Sequence, residues 1–434
     1  MNSARSALDY LYGLQRFGVK LGLHNIRSLL RGCGNPEKQF LSVHVAGTNG
    51  KGSTSSMIAA VLQAAGHKTG LYTSPHLVRF NERIRIGGTM ITDGDLVRYT
   101  NLFRPKIDSL SATFFEATTA IAFKYFADKG VTIAVVETGL GGRLDATNVL
   151  LPELSVITSI SKDHTEQLGK TYRLIAFEKG GIVKRGRACL VGVENRDAFQ
   201  ELRTIARQRH SLFLTLRGVT ATKISTSSGG EQILTMRTDK EVYNNVHVPL
   251  AGDHQIRNAR LAIAALEYLK TRGVEIPASA ICRGLRHLRR LTGIRCRFEI
   301  VRRNPTIVID VGHNLDGIKA VVRTLGKFRY RKLILVFGVM ADKEYVDMIG
   351  LLSTLKPAVF AVQPSTERAL SSQMIASLFR RKKCSAQSYQ YLAEAVRAAL
   401  NVQRKDDLLL ISGSHYVAGE AVQVLRKIPH GKRG

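Results

Sequence analysis

Lys51 stands between two glycines in GTNGKGS (47–53), immediately after the apolar run of FLSVHVA and immediately before a stretch of helical periodicity. Those residue types in that order suit an anion. Gly47, Gly50 and Gly52 let backbone N–H groups approach phosphate without Cβ interference. The following helix offers its positive end, and the lysine can reach the outer phosphates. The stretch departs from the common G-x-x-x-x-G-K-[ST] pattern. Val45 occupies the first glycine position, and Gly52 separates the lysine from Ser53. Read without its neighbours, the same stretch is compatible with a tight strand-to-helix connection.

Further polar groups stand where apolar runs end, the rim at which an open α/β sheet binds its ligands. Ser74 follows TGLYT, Glu137 ends VTIAVVE just before GLGGRLDATN, and Asp163 and His164 follow LSVITSI. A hydroxyl, a carboxylate and an imidazole beside a phosphate loop can hold Mg²⁺ on ATP oxygens, although histidine is an unusual ligand for so hard a cation. His164 is equally readable as a turn partner of Asp163. Lys179, in IAFEKGGIVK, would be drawn to phosphate and repelled by metal; its spacing says no more. Later, Asp310 ends TIVID, His313 follows in DVGHN, and Arg297 precedes them, an arginine and an acid able to clamp a nucleotide. Arg297 also reads as a surface charge.

The elements that must carry these groups alternate. Runs at 42–45, 69–73, 131–137, 154–160 and 188–193 have helical segments between them, which predicts a mainly parallel sheet covered by helices. Met57, Ile58, Val61, Leu62 and Ala65 fall at helical spacing, with Gly66 where a C-terminal glycine belongs. From 219 to 250 alternating segments flank STSSGGEQ, predicting a small antiparallel appendage. Helical periodicity returns over 254–269, and a second strand–helix series begins at 306–311, 332–339, 358–363 and 408–414. The expected fold class is α/β, with a boundary near residue 295 and a smaller α/β domain after it.

Composition bounds the rest. A chain of 434 residues suits two or three domains, and no run reaches the ~18 apolar residues of a membrane span. The N-terminus, broken by Arg5, Asp9 and Arg16, develops no secretory h-region. Cysteines 33, 189, 282, 296 and 384 form no C-x-x-C pair and read as reduced thiols in a cytoplasmic protein. The balance of 64 Lys+Arg against 34 Asp+Glu gives +30 and raises nucleic acid as a partner. The basic residues are spread along the chain, densest at 283–303 and 380–383, and no nucleic-acid motif accompanies them.

Taken together, HVAGTNGKGS, YTSPHLVRFNERIRIGG, TFFEATTAIAF, VVETGLGGRLDATNV, ITSISKDHTEQLG, EKGGIVK, GDHQIRNA, IDVGHN, VFGVMADKE and SGSHYVAGE, with LGLHNIRSLL and GNPEKQF before them, resemble the dihydrofolate synthase/folylpolyglutamate synthase family of the Mur-ligase group. The resemblance implies a P-loop-type ATPase domain over 1–295 and a Rossmann-like glutamate-ligase domain over 296–434. It implies that Thr48, Asn49, Gly50, Lys51 and Gly52 hold ATP phosphates. Asn258 would lie by the adenine, and Arg297 and Asp310 would contact nucleotide from the C-terminal domain. Ser74, Glu137 and His164 would ligate magnesium, Lys179 would carry a carbamate, and His313 would lie near the glutamate and acyl-phosphate site. Thr113, Phe114, Phe115, Leu144, Asp145 and Ala146 would bind a pterin substrate. Where family members often carry a Trp-Pro-Gly-Arg type sequence, this chain has Ile294-Arg295-Cys296-Arg297, so Arg295 rivals Arg297. The implied activity is ATP-dependent addition of L-glutamate to dihydropteroate and to reduced folates, by a monomer using two Mg²⁺ and a monovalent cation, with no membrane or nucleic-acid partner. A folylpolyglutamate synthase without the first activity is the nearer alternative; an ATP-dependent nucleic-acid-binding protein is the distant one.

Overall fold

The computed structural model describes residues 1–18, 20 and 22–428; Leu21, which opens LGLHNIRSLL, lies outside the described residues. The chain divides into two compact units. One comprises Met1–Ser225, Gln232–Pro249 and Gln255–Ile294, and the other Thr226–Glu231, Leu250–His254 and Arg295–Gly434.

The first unit is built on strands β1 (Leu41–Ala46), β2 (Thr69–Tyr72), β3 (Ile84–Ile86), β4 (Thr89–Met90), β5 (Ile133–Glu137), β6 (Leu154–Ile157), β7 (Ala188–Val191) and β8 (Leu212–Thr215), in the order β4-β3-β2-β5-β1-β6-β7-β8. Pairing is parallel from β2 to β8, while β3 and β4 are antiparallel additions. β1 therefore lies at the centre of the sheet, and both of its neighbours deliver loops to the same rim as the phosphate loop. Central strands covered on both faces read as largely apolar runs; β5, β6 and β7 do, and β1 does apart from the buried Ser42 and His44. β3 and β4 do not: RIRIGGTM is short and charged, so sequence alternation gave no sign of them. The expected run at 154–160 is cut to Leu154–Ile157, because Thr158 turns out of the sheet to donate its hydroxyl to the Ala46 and Asn49 carbonyls.

The helix after the phosphate loop spans Lys51–Ala64 and ends as its sequence predicts. Gly66 takes φ +96°, its N–H donates to Gln63 O, and that of His67 donates to Leu62 O, satisfying the last carbonyls. The appendage is a three-stranded sheet of β9 (Val219–Thr226), β10 (Gln232–Thr238) and β11 (Val242–Val248) in the order β11-β10-β9. One strand more than a hairpin is present, because the tight Asp239–Lys240 connection lacks the glycine that would mark it.

The second unit carries β12 (Glu299–Arg303), β13 (Thr306–Ile309), β14 (Leu333–Phe337), β15 (Ala358–Val362), β16 (Ala386–Tyr389) and β17 (Leu408–Ser412), ordered β12-β13-β17-β14-β15-β16. All pairs are parallel except β12 with β13. Four of the six strands were legible as apolar runs. β12 (EIVRR) and β16 (AQSY) are edge strands that mix polar and charged residues into short runs, a pattern that hides strands and also discourages edge pairing. No helix among the described residues is long and apolar enough to cross a membrane.

Candidate functional site

The phosphate loop is held open by its neighbours. Thr48 N–H donates to Ser159 O, Thr48 Oγ1 donates to Ser161 O and accepts from Ser161 N–H, and Asn49 N–H donates to Ser159 Oγ. Asn49 O in turn accepts from the Thr158 and Ser159 hydroxyls. The hydroxyl-rich TSIS segment after β6 thus fixes the loop without using the N–H groups of the first helical turn, and no side chain caps that helix. Uncapped N–H groups at a helix start are a site for anions. Gly47 and Gly50 take φ +152° and +86°; a Cβ on the first would sit 1.9 Å from Thr158 Oγ1, and one on the second 2.5 Å from Asn258 Oδ1. Asn258 therefore lies against the loop at Gly50, its amide fixed by a bond to Gln255 Oε1 at 3.0 Å.

Lys51 and Lys179 share one neighbourhood. Lys51 Nζ donates to Thr48 O at 3.2 Å. Lys179 is 5% exposed, and its ammonium makes no hydrogen bond or ion pair among the described residues. Burial, followed by the positive charge of Lys51, pushes its pKa down to about 7 against the pull of Asp163 and Asp145. The charges of the two amines reach each other and oppose one another's protonation, a repulsion that a phosphate group at the loop would relieve.

Ser74 and Glu137 are brought together: the Ser74 N–H donates to Glu137 Oε2 at 3.3 Å, leaving the serine hydroxyl beside a buried carboxylate. Next to them Thr138 Oγ1 is buried without a hydrogen-bond partner. His164 has φ +50° at the head of a short helix; its N–H bonds to Asp163 Oδ1 at 2.9 Å and its Nε2 lies 3.9 Å from the same oxygen. The turn role foreseen for it is thus real, and the ring remains partly exposed. No group of three or more His, Cys, Asp or Glu side chains forms a cage among the described residues. Ser74, Glu137 and His164 would leave most of a coordination sphere to water and phosphate oxygens, which fits magnesium better than a transition metal.

The segment Thr113–Phe115 opens the helix Phe114–Asp128. Thr113 and Glu116 cap each other: the Thr113 N–H and hydroxyl donate to Glu116 Oε2 at 2.8 and 2.9 Å, and Thr113 Oγ1 accepts the Glu116 N–H at 3.3 Å. Both rings that follow pack against the core of this unit. Phe114 stacks on Tyr12 at 5.7 Å and 13°, packs its edge against Phe80, and lies under the Arg83 guanidinium at 5.3 Å. Arg83 Nε donates to His76 Nδ1 at 2.8 Å, and burial, with Arg83 next, holds His76 down at about 4. Tyr12, His76 and Arg83 went unnoticed in the sequence, although TSPHLVRFNERI carries two of them. Leu144 is half-buried and Ala146 buried, whereas Asp145 turns inward: its oxygens accept from the N–H groups of Gly139, Leu140 and Thr147 and from the Thr147 hydroxyl. It shapes its loop.

In the second unit, Asp310 is buried and accepts from Phe298 N–H at 2.7 Å and Gly312 N–H at 2.6 Å. Burial raises its carboxyl, while those bonds and the charges of Arg297 and His313 oppose the rise. The charge of Arg297 thus reaches Asp310, whereas Arg295 is drawn to Glu299 at 3.3 Å. His313 Nδ1 lies 3.0 Å from Val311 O and its ring 5.1 Å from that of His415, a residue sequence reading passed over within SGSHYVAGE.

Residues 45–266 match the Mur ligase middle domain, and residues 296–415 the Mur ligase glutamate ligase domain. The chain is 33% identical to the dihydrofolate synthase/folylpolyglutamate synthase of Bacillus subtilis over 95% of its own length and 96% of that protein's. It is 35% identical to the folylpolyglutamate synthase of Lacticaseibacillus casei over 96% and 97%. Among solved structures, Mycobacterium tuberculosis folylpolyglutamate synthase complexed with ADP superposes with a TM-score of 0.89 at 29% identity, covering 98% of this chain and 100% of that one. Escherichia coli FolC in complex with DHPP and ADP does so with 0.86 at 26%, covering 98% of each. With identity of this order running nearly end to end and both Mur-ligase domains matched in sequence, the chain belongs to the dihydrofolate synthase/folylpolyglutamate synthase family of Mur ligases.

Proposed function

We propose that this chain is an ATP-dependent carbon–nitrogen ligase that adds L-glutamate to dihydropteroate, and again to the γ-carboxylate of reduced folates, through an acyl phosphate. The observation that carries the reading is the pair of lysines at the uncapped helix start: Lys51 in the phosphate loop, and beside it the buried Lys179 without an anionic partner. Relatives named for both activities, and solved structures named with ADP and with DHPP, support it.

In this reading a substrate carboxylate oxygen attacks the γ-phosphorus of ATP and the bond to ADP breaks. The glutamate amine then attacks the acyl carbon, loses its proton and expels phosphate. Residues Thr48 to Gly52 bind the phosphate chain. Lys51 and the helix start stabilise charge on the transferring phosphoryl group, so catalysis is mostly positioning and electrostatics. Asn258, which lies at Gly50, contacts the nucleotide in this reading; Arg297 and Asp310 serve it from the C-terminal part, residues 296–434, and His313 lies near the incoming glutamate. Phe114, Phe115, Leu144 and Ala146 offer the pterin an apolar surface, with Thr113 and Asp145 shaping the two segments. Magnesium bound by Ser74, Glu137 and His164 would neutralise the phosphate oxygens. A carbamate on Lys179, a second magnesium and a monovalent cation belong to the same reading, as do a monomeric state and a cytoplasmic location.

The Lacticaseibacillus casei relative, a folylpolyglutamate synthase, favours a second reading, folylpolyglutamate synthase alone. Parallel assays of glutamate incorporation with dihydropteroate and with tetrahydrofolate decide between them. Both acceptors should be glutamylated; product from tetrahydrofolate alone would leave the second reading standing, and product from neither would remove both.

A further inference from the structure

His44 lies at the centre of β1, three residues before the phosphate loop begins, and is wholly buried. Its Nε2 is 2.8 Å from Thr147 Oγ1, and its Nδ1 has no hydrogen-bond partner. The single hydroxyl proton of Thr147 is given to Asp145 Oδ1, so the bond from the ring must be an Nε2–H donation, which fixes the neutral tautomer. Burial, with Lys184 next, holds the ring far below its usual pKa. A residue needed only for packing at this position would be apolar, since a ring nitrogen buried without a partner is unfavourable. The Nε2–H donation is what a histidine supplies here and an apolar side chain does not.

That donation starts a chain. Asp145, anchored by Thr147, gathers the N–H groups of Gly139 and Leu140 and so sets the turn of the loop after β5. The loop then grips the end of the helix Tyr172–Gly180: Arg143 N–H donates to Glu178 O at 2.7 Å, and Asn148 Nδ2 donates to Gly181 O at 3.1 Å. The fit is close, since a Cβ on Gly181 would come within 2.4 Å of Arg143 Cα. Lys179 sits in that helix end, and Asp145 is one of the two carboxylates whose charge reaches it.

We propose that His44 is a positioning residue: through Thr147 and Asp145 it ties the strand that delivers the phosphate loop to the loop that places Lys179, keeping the two lysines in one register. The inference rests on the ligase reading of Lys51 and Lys179 given above.

The test uses the full-length protein, with glutamate- and dihydropteroate-dependent ADP release as readout. Thr147→Val removes the hydroxyl at constant shape and Thr147→Ser keeps it; His44→Phe removes the donor and His44→Gln retains an N–H near Nε2. The expected result is a fall of kcat of about ten- to a hundred-fold in Thr147→Val and His44→Phe at nearly unchanged KM for ATP. Thr147→Ser and His44→Gln should recover most of that loss. The double variant should be no slower than the worse single one, because both cut the same chain. Folded Thr147→Val with kcat within two-fold of Thr147→Ser overturns the inference, as do losses that multiply in the double variant. If the His44 variants fail to fold, the Thr147 pair alone decides. Lys179→Ala is the control for the underlying reading: full activity there sinks the ligase assignment of Lys179, whereas an inactive Lys179→Ala beside an unaffected Thr147→Val sinks only the role of His44.

Discussion

At the scale of single residues, Lys179 sets activity against stability. Its amine titrates near 7 in the fold against 10.5 for an exposed lysine, because burial and Lys51 disfavour the charged form. Between those values the unfolded chain binds more protons than the native one, so stability must rise with pH across the window, and the penalty is fully present at pH 7 and below. Lys179→Met should therefore be more stable than the parent at pH 7, by on the order of a few kcal/mol, with the gap closing towards pH 10. It should also be inactive. Urea unfolding in bicarbonate-free buffer checks the first half, and a parent that loses stability from pH 7 to 10 relative to the variant would contradict it. Added bicarbonate should narrow the gap at pH 7 if a carbamate forms. Lys51, Ser74 and Glu137 stood out as candidates because chemistry-bearing residues after strands contrast with apolar runs, whereas Lys179, near the end of a helix, was singled out only by the family resemblance. His44, Thr147 and His76 were not legible, because a buried polar group shows its meaning only through its partner, and the partners lie 103 residues away for His44 and seven away, across a turn, for His76.

At the scale of elements, the order strand, glycine turn, helix was readable, and so was the parallel sheet around it. What sequence could not give was the contribution of a neighbouring strand, β6. The turn after β6 reads as the tail of an apolar run, yet the hydroxyls of Thr158 and Ser159 and the backbone of Ser161 hold the phosphate loop in shape. The short edge strands escaped for a related reason: their polar and charged residues break the alternation by which strands are recognised. The interlock makes Gly47→Ala a direct probe. Its Cβ would collide with Thr158 Oγ1 and its φ of +152° is unfavourable for any other residue. The expected outcome is a loss of ATP affinity of ten-fold or more with the sheet intact, read by nucleotide titration beside circular dichroism. Unchanged ATP binding would contradict the proposed shape of the loop. Thr158→Ala in the same background should restore part of the affinity by making room.

At the scale of the whole molecule, the excess of basic over acidic residues suits a chain whose proposed substrates are all anions: ATP, glutamate, pteroate carboxylates and folate tails. Steering of such ligands accounts for positive charge near a binding rim. The central claim is that ATP activates a carboxylate as an acyl phosphate before glutamate attacks. It is tested most directly by supplying dihydropteroate labelled with heavy oxygen in its carboxylate, with ATP and glutamate, and following the label by mass spectrometry. The account predicts one labelled oxygen in the inorganic phosphate released with each amide formed; amide formation with label-free phosphate would contradict it.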